Sequence, residues 1–168
     1  MRAALLLCAV ALLLAGACTQ QDRYVPSAAA KLVVIPVGMA RPRTALPLVV
    51  AEVVATPERR SRGLGGRDRV DDGDGMLFVY PRDEPRRYWM KDCFVALDIA
   101  FIDREGRIVN LATLPAGANL ADDKIAAAES AAPARYVLET AAGWMARHGI
   151  AAGDAVDLAA ALEGVDPQ

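Results

Sequence analysis

Histidine and cysteine are nearly absent from this chain of 168 residues, which has one His and three Cys. Two of the Cys, Cys8 and Cys18, fall in the N-terminal segment, so Cys93 stands alone beyond it. A single thiol excludes an intrachain disulfide and any thiol-based metal cluster. A Cys–His dyad would need His148, whose predicted place is the last turn of a short helix, where a cation suits the dipole. Cys93 therefore reads as a small buried residue. The carboxylate run Asp71-Asp72-Gly73-Asp74 lacks the spacing and terminal Glu of a calcium loop and reads as a solvated turn. No catalytic triad or phosphate loop stands out, and neither metal nor cofactor is expected. Excess positive charge is missing as well. Lys and Arg number 19 against 21 Asp and Glu, a formal net charge of −2. A mildly acidic chain has no electrostatic footprint for nucleic acid.

What is present begins at the N-terminus. Met1-Arg2 is a short positive start, Ala3 to Leu14 is an apolar run, and Ala15-Gly16-Ala17-Cys18 is a small-residue site ending in Cys. That three-part order is a secretory signal, and the run is short for a membrane span. With Leu14 four residues before Cys18, the segment resembles a bacterial lipoprotein signal. The resemblance implies removal of residues 1–17, lipid on Cys18, and export to the cell envelope. Thr19 rather than Asp after the Cys implies sorting to the periplasmic side of a Gram-negative outer membrane. Acyl chains anchor at about 0.8 kcal/mol per buried CH₂. Losing Arg2 with the signal moves the formal charge from −2 to −3.

Residues 19–30 read as a flexible tether. Lys31–Ile35 and the β-branched Leu48–Val54 read as strands. Thr56, Pro57 and Glu58 then start a short helix that Gly63 ends. Gly75–Tyr80 is a strand stopped by Pro81, followed by a charged loop over 82–87. Asp103–Gly106 predicts a hairpin joining Leu97–Ile102 to Arg107–Leu114. The Ala-, Asp- and Gly-rich stretch 115–133 is the least defined, with a helical turn or two expected over Ala121–Ser130. Arg135–Glu139 is a strand, Ala141–His148 a short helix that packs Trp144 and Met145, and Ala155–Leu158 a last strand. Residues 159–168 read as a C-terminal tail. The fold class is mainly β (or α+β): one compact antiparallel sandwich or barrel over 31–158, of about seven or eight strands, with two or three short peripheral helices. Alternating βα units are not expected.

The central stretch is Tyr88-Trp89-Met90-Lys91-Asp92-Cys93, followed by Leu97–Ile102. If the first part is extended, Trp89, Lys91 and Cys93 share one face. Leu97–Ile102 is apolar on both faces except at Asp98, which predicts a strand covered on both sides. A carboxylate there needs a cation or hydrogen-bond donors.

These residues also carry a resemblance to a known family. Glu58-Arg59 with Arg62-Gly63-Leu64 and Arg67, then Gly75-Met76-Leu77-Phe78, then Trp89-Met90-Lys91 with Leu97-Asp98-Ile99 and Phe101-Ile102, then Tyr136–Glu139 with Ala142-Gly143-Trp144, and Gly153-Asp154, stand in the order of the bacterial and archaeal family called domain of unknown function 192. The chain resembles that family from about Lys31 to Leu158. Gly65 stands where members usually have Met, Asp92-Cys93 where they have Asn-Thr, and Ala96 where they have Pro. The resemblance implies a compact, largely β domain, often exported, with no assigned activity. Because Thr is usual at the Cys93 position, it also implies a chemistry independent of the thiol.

The candidate site residues are Trp89, Lys91, Asp98, Arg59, Arg62, Arg67 and Glu139. Trp89 with Lys91 and an Arg could line a cleft, stacking on a ring and holding a carboxylate or phosphate. Alternatively, Asp98 pairs with Lys91 or an Arg and locks the sheet. Three readings follow. The first is a non-catalytic envelope lipoprotein domain that binds a small anionic or glycan-like ligand, or an envelope protein. The second is an envelope hydrolase or transferase using Asp98 or Glu139 with Lys91. The third is a structural or assembly protein.

Overall fold

The computed structural model describes residues 29–35 and 46–168. The signal segment, Cys18, most of the tether and the loop around Arg41–Arg43 lie outside these residues. The strands are β1 (Ala29–Ile35), β2 (Leu48–Val54), β3 (Asp74–Glu84), β4 (Arg87–Trp89), β5 (Leu97–Ile102), β6 (Ile108–Leu114), β7 (Ala127–Glu129), β8 (Ala134–Ala141) and β9 (Ala155–Asp157). Three short helices join them: α1 (Pro57–Arg62), α2 (Trp144–Arg147) and α3 (Ala159–Leu162). A single 3₁₀ turn spans Asp122–Lys124. Mainly β is therefore the class, as the sequence implies.

Seven strands form one sheet in the order β6-β5-β8-β3-β2-β1-β9, and β4 pairs with β7 as a separate ribbon. The sheet curls until its two edges meet. Val156 N–H donates to the Gly106 carbonyl and Ile108 N–H to the Asp154 carbonyl, each at 2.8 Å. Linked edges leave few unpaired backbone groups on which another chain could add. Every pairing is antiparallel except β2–β3, which is parallel with α1 as its crossover. One βαβ unit thus sits in an otherwise antiparallel sheet, where the sequence suggested none. Its crossover is short because α1 is capped closely at both ends: Pro57 opens it, and Gly63, at φ 52°, closes it with its N–H on the Arg59 carbonyl.

Alternation along the strands sorts the apolar side chains into two cores. The first takes residues from all seven strands, among them Leu32, Val49, Leu77, Ala100, Ile108, Leu138 and Val156, and closes over Trp144 and Met145. It fills the inside of the curl. The second lies on the outer face of β3, β5 and β8, where Met76, Phe78, Ile99, Phe101 and Val137 are covered by Leu64, Met90, Cys93 and Leu114. β5 is buried at all six positions, which is the doubly covered strand expected of Leu97–Ile102.

Several boundaries move. β3 continues through Pro81 to Glu84 because the β3–β8 ladder is irregular between Val79 and Glu84, so the missing N–H breaks no regular rung. The 115–133 stretch makes its 3₁₀ turn and then β7, whose Ala127–Glu129 pair with Trp89–Arg87. It is pinned by Gly117 and Ala118 N–H, both donating to the Cys93 carbonyl at 3.0 and 2.9 Å. A Cβ at Gly117 would stand 2.4 Å from the Met90 carbonyl oxygen, so only glycine allows that approach. Residues 159–168 are no free tail. Ala161 is buried in the inner core, and Gln168 N–H reaches the Ala55 carbonyl.

Asp98 is the lock of this arrangement, though not with the cation the sequence suggested. It is buried and aims into the curl. One carboxylate oxygen accepts the Thr113 hydroxyl at 2.6 Å, and the other accepts Met145 N–H, at the start of α2, at 2.9 Å. Lys91 pairs elsewhere, with Asp122. A short strand residue therefore ties β5 to β6 and to α2, and fixes Trp144 as the lid of the inner core. Asp98→Ala strands the buried Met145 N–H and frees the Thr113 hydroxyl, and should cost about 1–3 kcal/mol. Urea denaturation measures this, and a variant as stable as the parent would refute the lock.

Candidate ligand-binding cleft

A cleft opens on the outer face of the sheet, between α1 with the turn after it, β4, and the turn 91–93 that follows β4. Its floor is made by Phe78 and Tyr80 of β3 and Glu139 of β8, in a hollow of about 180 Å³. A second hollow of about 450 Å³ adjoins it past Ser61, Arg62, Trp89, Lys91 and Asp92. Local chemistry shapes both. β4 ends at Trp89, and a turn follows in which Asp92 sits at φ 57° and Cys93 N–H donates to the Met90 carbonyl at 3.1 Å. Gly66 N–H donates to the Asp92 carbonyl at 2.9 Å, so the turn after α1 is clamped to the turn after β4.

Glu139 is the unusual group. Its register partners are Met76 on β3 and Ile99 on β5, both apolar. It is 6% exposed, and among the described residues no hydrogen bond or ion pair reaches its carboxyl. Burial pushes this carboxyl up to about 8, so it is mostly protonated at neutral pH. Beside it, the Tyr80 and Tyr88 hydroxyls are 2.8 Å apart in one hydrogen bond. Burial raises both phenols, Tyr88 well above its usual range. The Tyr88 ring stands edge-on to Phe78 and Phe101, which fixes β4 over the outer core. Burial, with Glu139 and Asp92 nearby, pushes the Cys93 thiol up to about 11, so little thiolate exists at neutral pH.

The rim is cationic, and most of its cations are engaged. Arg60 donates to the carbonyls of Ala55, Val79 and Gln168 and lies against the Tyr80 ring. Arg87 pairs with Glu129 at 3.4 Å. Lys91 pairs with Asp122 at 3.1 Å and sits 5.1 Å from the centre of the Trp89 ring. Arg62 is exposed, with no side-chain partner among the described residues. Trp89 is 47% exposed, a large apolar surface left open beside these charges.

Of the seven residues singled out in the sequence, four meet here: Arg62, Trp89, Lys91 and Glu139. Three do not. Asp98 and Glu139 are on facing strands, one rung apart, and alternation puts them on opposite faces of the sheet. Arg67 makes a two-pronged pair with Glu52, at 2.6 and 3.0 Å, outside the cleft. Arg59 does not line it, and its Nη2 is buried without a partner among the described residues. The shared face expected for Trp89, Lys91 and Cys93 holds only loosely: all three border the cleft, but the turn at Asp92 buries Cys93 while Lys91 stays exposed. The sequence reading missed Arg60, Tyr80, Arg87 and Tyr88. The signal for Tyr80 was its spacing of two from Phe78 on one strand. That for Arg87 and Tyr88 was hidden because β4 has only three residues. Among the described residues, no three His, Cys, Asp or Glu gather as a metal site, and no helix is long and apolar enough to cross a membrane.

The raised Glu139 acid makes stability depend on pH. The unfolded chain loses this proton near 4.5, the folded chain near 8. Below 4.5 both states hold it, and across the window from 4.5 to 8 only the folded state does. Stability should therefore fall with rising pH, by up to about 1.4 kcal/mol per unit from this group. Glu139→Gln lacks this slope, so its melting temperature should exceed that of the parent by a margin that widens from about pH 5 to 8. A constant margin would show that Glu139 is ionised in the fold.

Comparison with known proteins agrees with the sequence resemblance. The family model of domain of unknown function 192, described as "Uncharacterized ACR", matches residues 40–158. No curated protein matches. A solved structure from Sinorhizobium meliloti 1021, described as a "putative transcription regulator", is 28% identical with a TM-score of 0.67, covering 79% of this chain and 95% of that one. A protein of unknown function from Novosphingobium aromaticivorans DSM 12444 is 26% identical with a TM-score of 0.65, covering 77% and 84%. The family match spans more than half of the chain, from β2 through β9 and including the residues of the cleft, so the chain belongs to the domain of unknown function 192 family.

Proposed function

We propose that this chain is a non-catalytic binding domain of the cell envelope, lipid-anchored through Cys18, whose cleft takes a small anionic molecule. The observation that carries the reading is the cleft itself: a buried, uncharged, unpartnered Glu139 at its floor, with Trp89 exposed and Arg62 unpaired at its mouth. A concave site with a few convergent polar groups and a shifted acid is the usual form of a small-molecule site. Export rests on the order of the first residues, Met1-Arg2, the apolar run, and Ala15–Cys18. The name of the Sinorhizobium relative raises nucleic acid as a partner. The pairing of Arg87 and Lys91 with Glu129 and Asp122, and of Arg60 with backbone carbonyls, favours a small anion over a polyanion.

A second reading has one observation in its favour. A carboxyl that titrates near neutrality inside a cleft suits general acid or base catalysis. On that reading Glu139 is the proton carrier of an envelope hydrolase or transferase, with Lys91 or Arg62 as the charge stabiliser, and Asp98 has no part in it.

Thermal shift of the chain lacking residues 1–18, against a panel of envelope metabolites and muropeptides, tests the binding reading. Anionic members should raise the melting temperature, and Lys91→Ala, which removes a rim cation together with its Asp122 pair, should abolish or halve the shift while the variant stays folded. No shift from any anionic member, or shifts indifferent to Lys91→Ala and Arg62→Ala alike, would overturn it. Turnover that Glu139→Gln abolishes would replace it with the enzymatic one.

A further inference from the structure

The cleft has two chemically different ends. The outer trough offers a guanidinium without a partner among the described residues, Arg62, and the half-exposed Trp89 indole, which has the Lys91 ammonium over one face. The floor offers no cation. Its polar group is the Glu139 carboxyl, with the joined Tyr80 and Tyr88 hydroxyls beside it. The inner hollow of about 180 Å³ is smaller than the roughly 300–1,000 Å³ of ordinary small-molecule sites. The trough shares Arg62, Gly65, Trp89 and Lys91 with it, so a ligand that fills the site spans both. Among the described residues the Glu139 carboxyl has no protein hydrogen-bond partner, so it is free to bond a ligand that enters the cleft. Protonated, it has one O–H to give, and an oxygen acceptor on the ligand satisfies it.

From these ends we infer that the ligand is an acidic sugar, held with its carboxylate on Arg62, its ring against Trp89, and a carbonyl or hydroxyl oxygen accepting the Glu139 O–H at the floor. The inference rests on the cleft reading above and narrows it. A sugar ring suits the geometry because it has an apolar C–H face for the indole while hydroxyl or acylamino groups project from its edge. Its carboxylate matches the planar fork of Arg62, and Lys91 is the weaker anchor because Asp122 already holds it.

Glu139 acts here only as a proton donor, so binding should carry its titration. Facing it are the Tyr80 and Tyr88 phenols from β3 and β4 and the Cys93 thiol from the turn after β4, all of which titrate higher. The charged groups on the same cleft are Arg60 and Arg62 of α1, Arg87 of β4, and Lys91 with Asp92 of that turn. Affinity should therefore hold below the Glu139 midpoint of about 8 and fall with rising pH above it. The limit is about tenfold per unit.

Calorimetric titration of the purified full chain in detergent, with N-acetylmuramic acid and with N-acetylglucosamine, is the test. The second is the same sugar without the lactyl carboxylate. The acidic sugar should bind at least tenfold more tightly, and Arg62→Ala should remove most of that difference. In the parent, its affinity should drop tenfold or more between about pH 6.5 and 9.5. Glu139→Gln, whose amide still donates, should bind within a few-fold of the parent at the lower pH and show a flat profile. Equal binding of the two sugars, a flat profile in the parent, or no binding of either would each overturn the inference. The cleft reading would survive these results if another anion still bound with sensitivity to Lys91→Ala, so the two failures are distinguishable. The parent's own pH profile needs no variant and holds even if a substitution impairs folding.

Discussion

β8 is hydrogen-bonded along both edges, to β3 and to β5, and covered on both faces. A side chain on such a strand has no route to bulk water except through a gap in one of the covers. Alternation then decides everything else. Tyr136 and Leu138 go into the curl. Val137 and Glu139 go outward, under the ribbon of β4 and β7. At Glu139 the cover is incomplete, because the turn after α1 and the turn after β4 meet at their backbones and leave the hollow between them. The cleft is thus the place where the outer layer fails to close over a buried carboxyl, and its chemistry follows from the strand beneath it.

Asp98 and Glu139 show how one sheet gives the same functional group two roles. They differ by one rung and one face. Asp98 meets two donors, and its carboxyl oxygens tie β6 and α2 to β5. Glu139 meets Met76 and Ile99, so nothing compensates its charge and the proton is retained. Burial is nearly equal for the two, 2% and 6% exposed. The neighbours decide, and they are set by register. A slip of one residue in β8 would turn Glu139 into the curl and put Leu138 or Thr140 at the floor of the cleft.

Much of this was legible in the sequence. The apolar run around Asp98 announced a strand covered on both sides, the Asp103–Gly106 turn announced its hairpin, and Pro57 and Gly63 bracketed α1 closely. Of the four residues of the cleft legible in the sequence, Trp89, Lys91 and Glu139 are conspicuous among apolar neighbours, and Arg62 stands in the motif Arg62-Gly63-Leu64. What failed was nonlocal. Strand alternation puts Asp98 and Glu139 in any strand, but only the pairing of β5 with β8 shows that they face apart. A cation seemed the natural partner for Asp98, yet a backbone N–H at the start of a four-residue helix served instead, and no spacing in the sequence encodes that contact. The parallel β2–β3 pair and the packing of 159–168 onto the sheet are likewise products of topology.

The distribution of paired charges around the cleft constrains what can occupy it. A polyanion needs a row of free cations, since each engaged one must first be released from its carboxylate. Here the fold has spent Arg87 and Lys91 on tying β4 to β7 and to the 3₁₀ turn. Arg60 holds carbonyls of three segments, including that of Gln168. These cations assemble the walls. Arg62 lies on the same short helix, exposed at the mouth of the cleft and without a side-chain partner among the described residues. A single free guanidinium can hold one carboxylate in two-pronged fashion. The floor then asks for an oxygen acceptor, because a protonated carboxyl donates and an ionised one would be expelled from that setting. One guanidinium without a partner among the described residues and one protonated carboxyl at the floor are the groups that the framework leaves open.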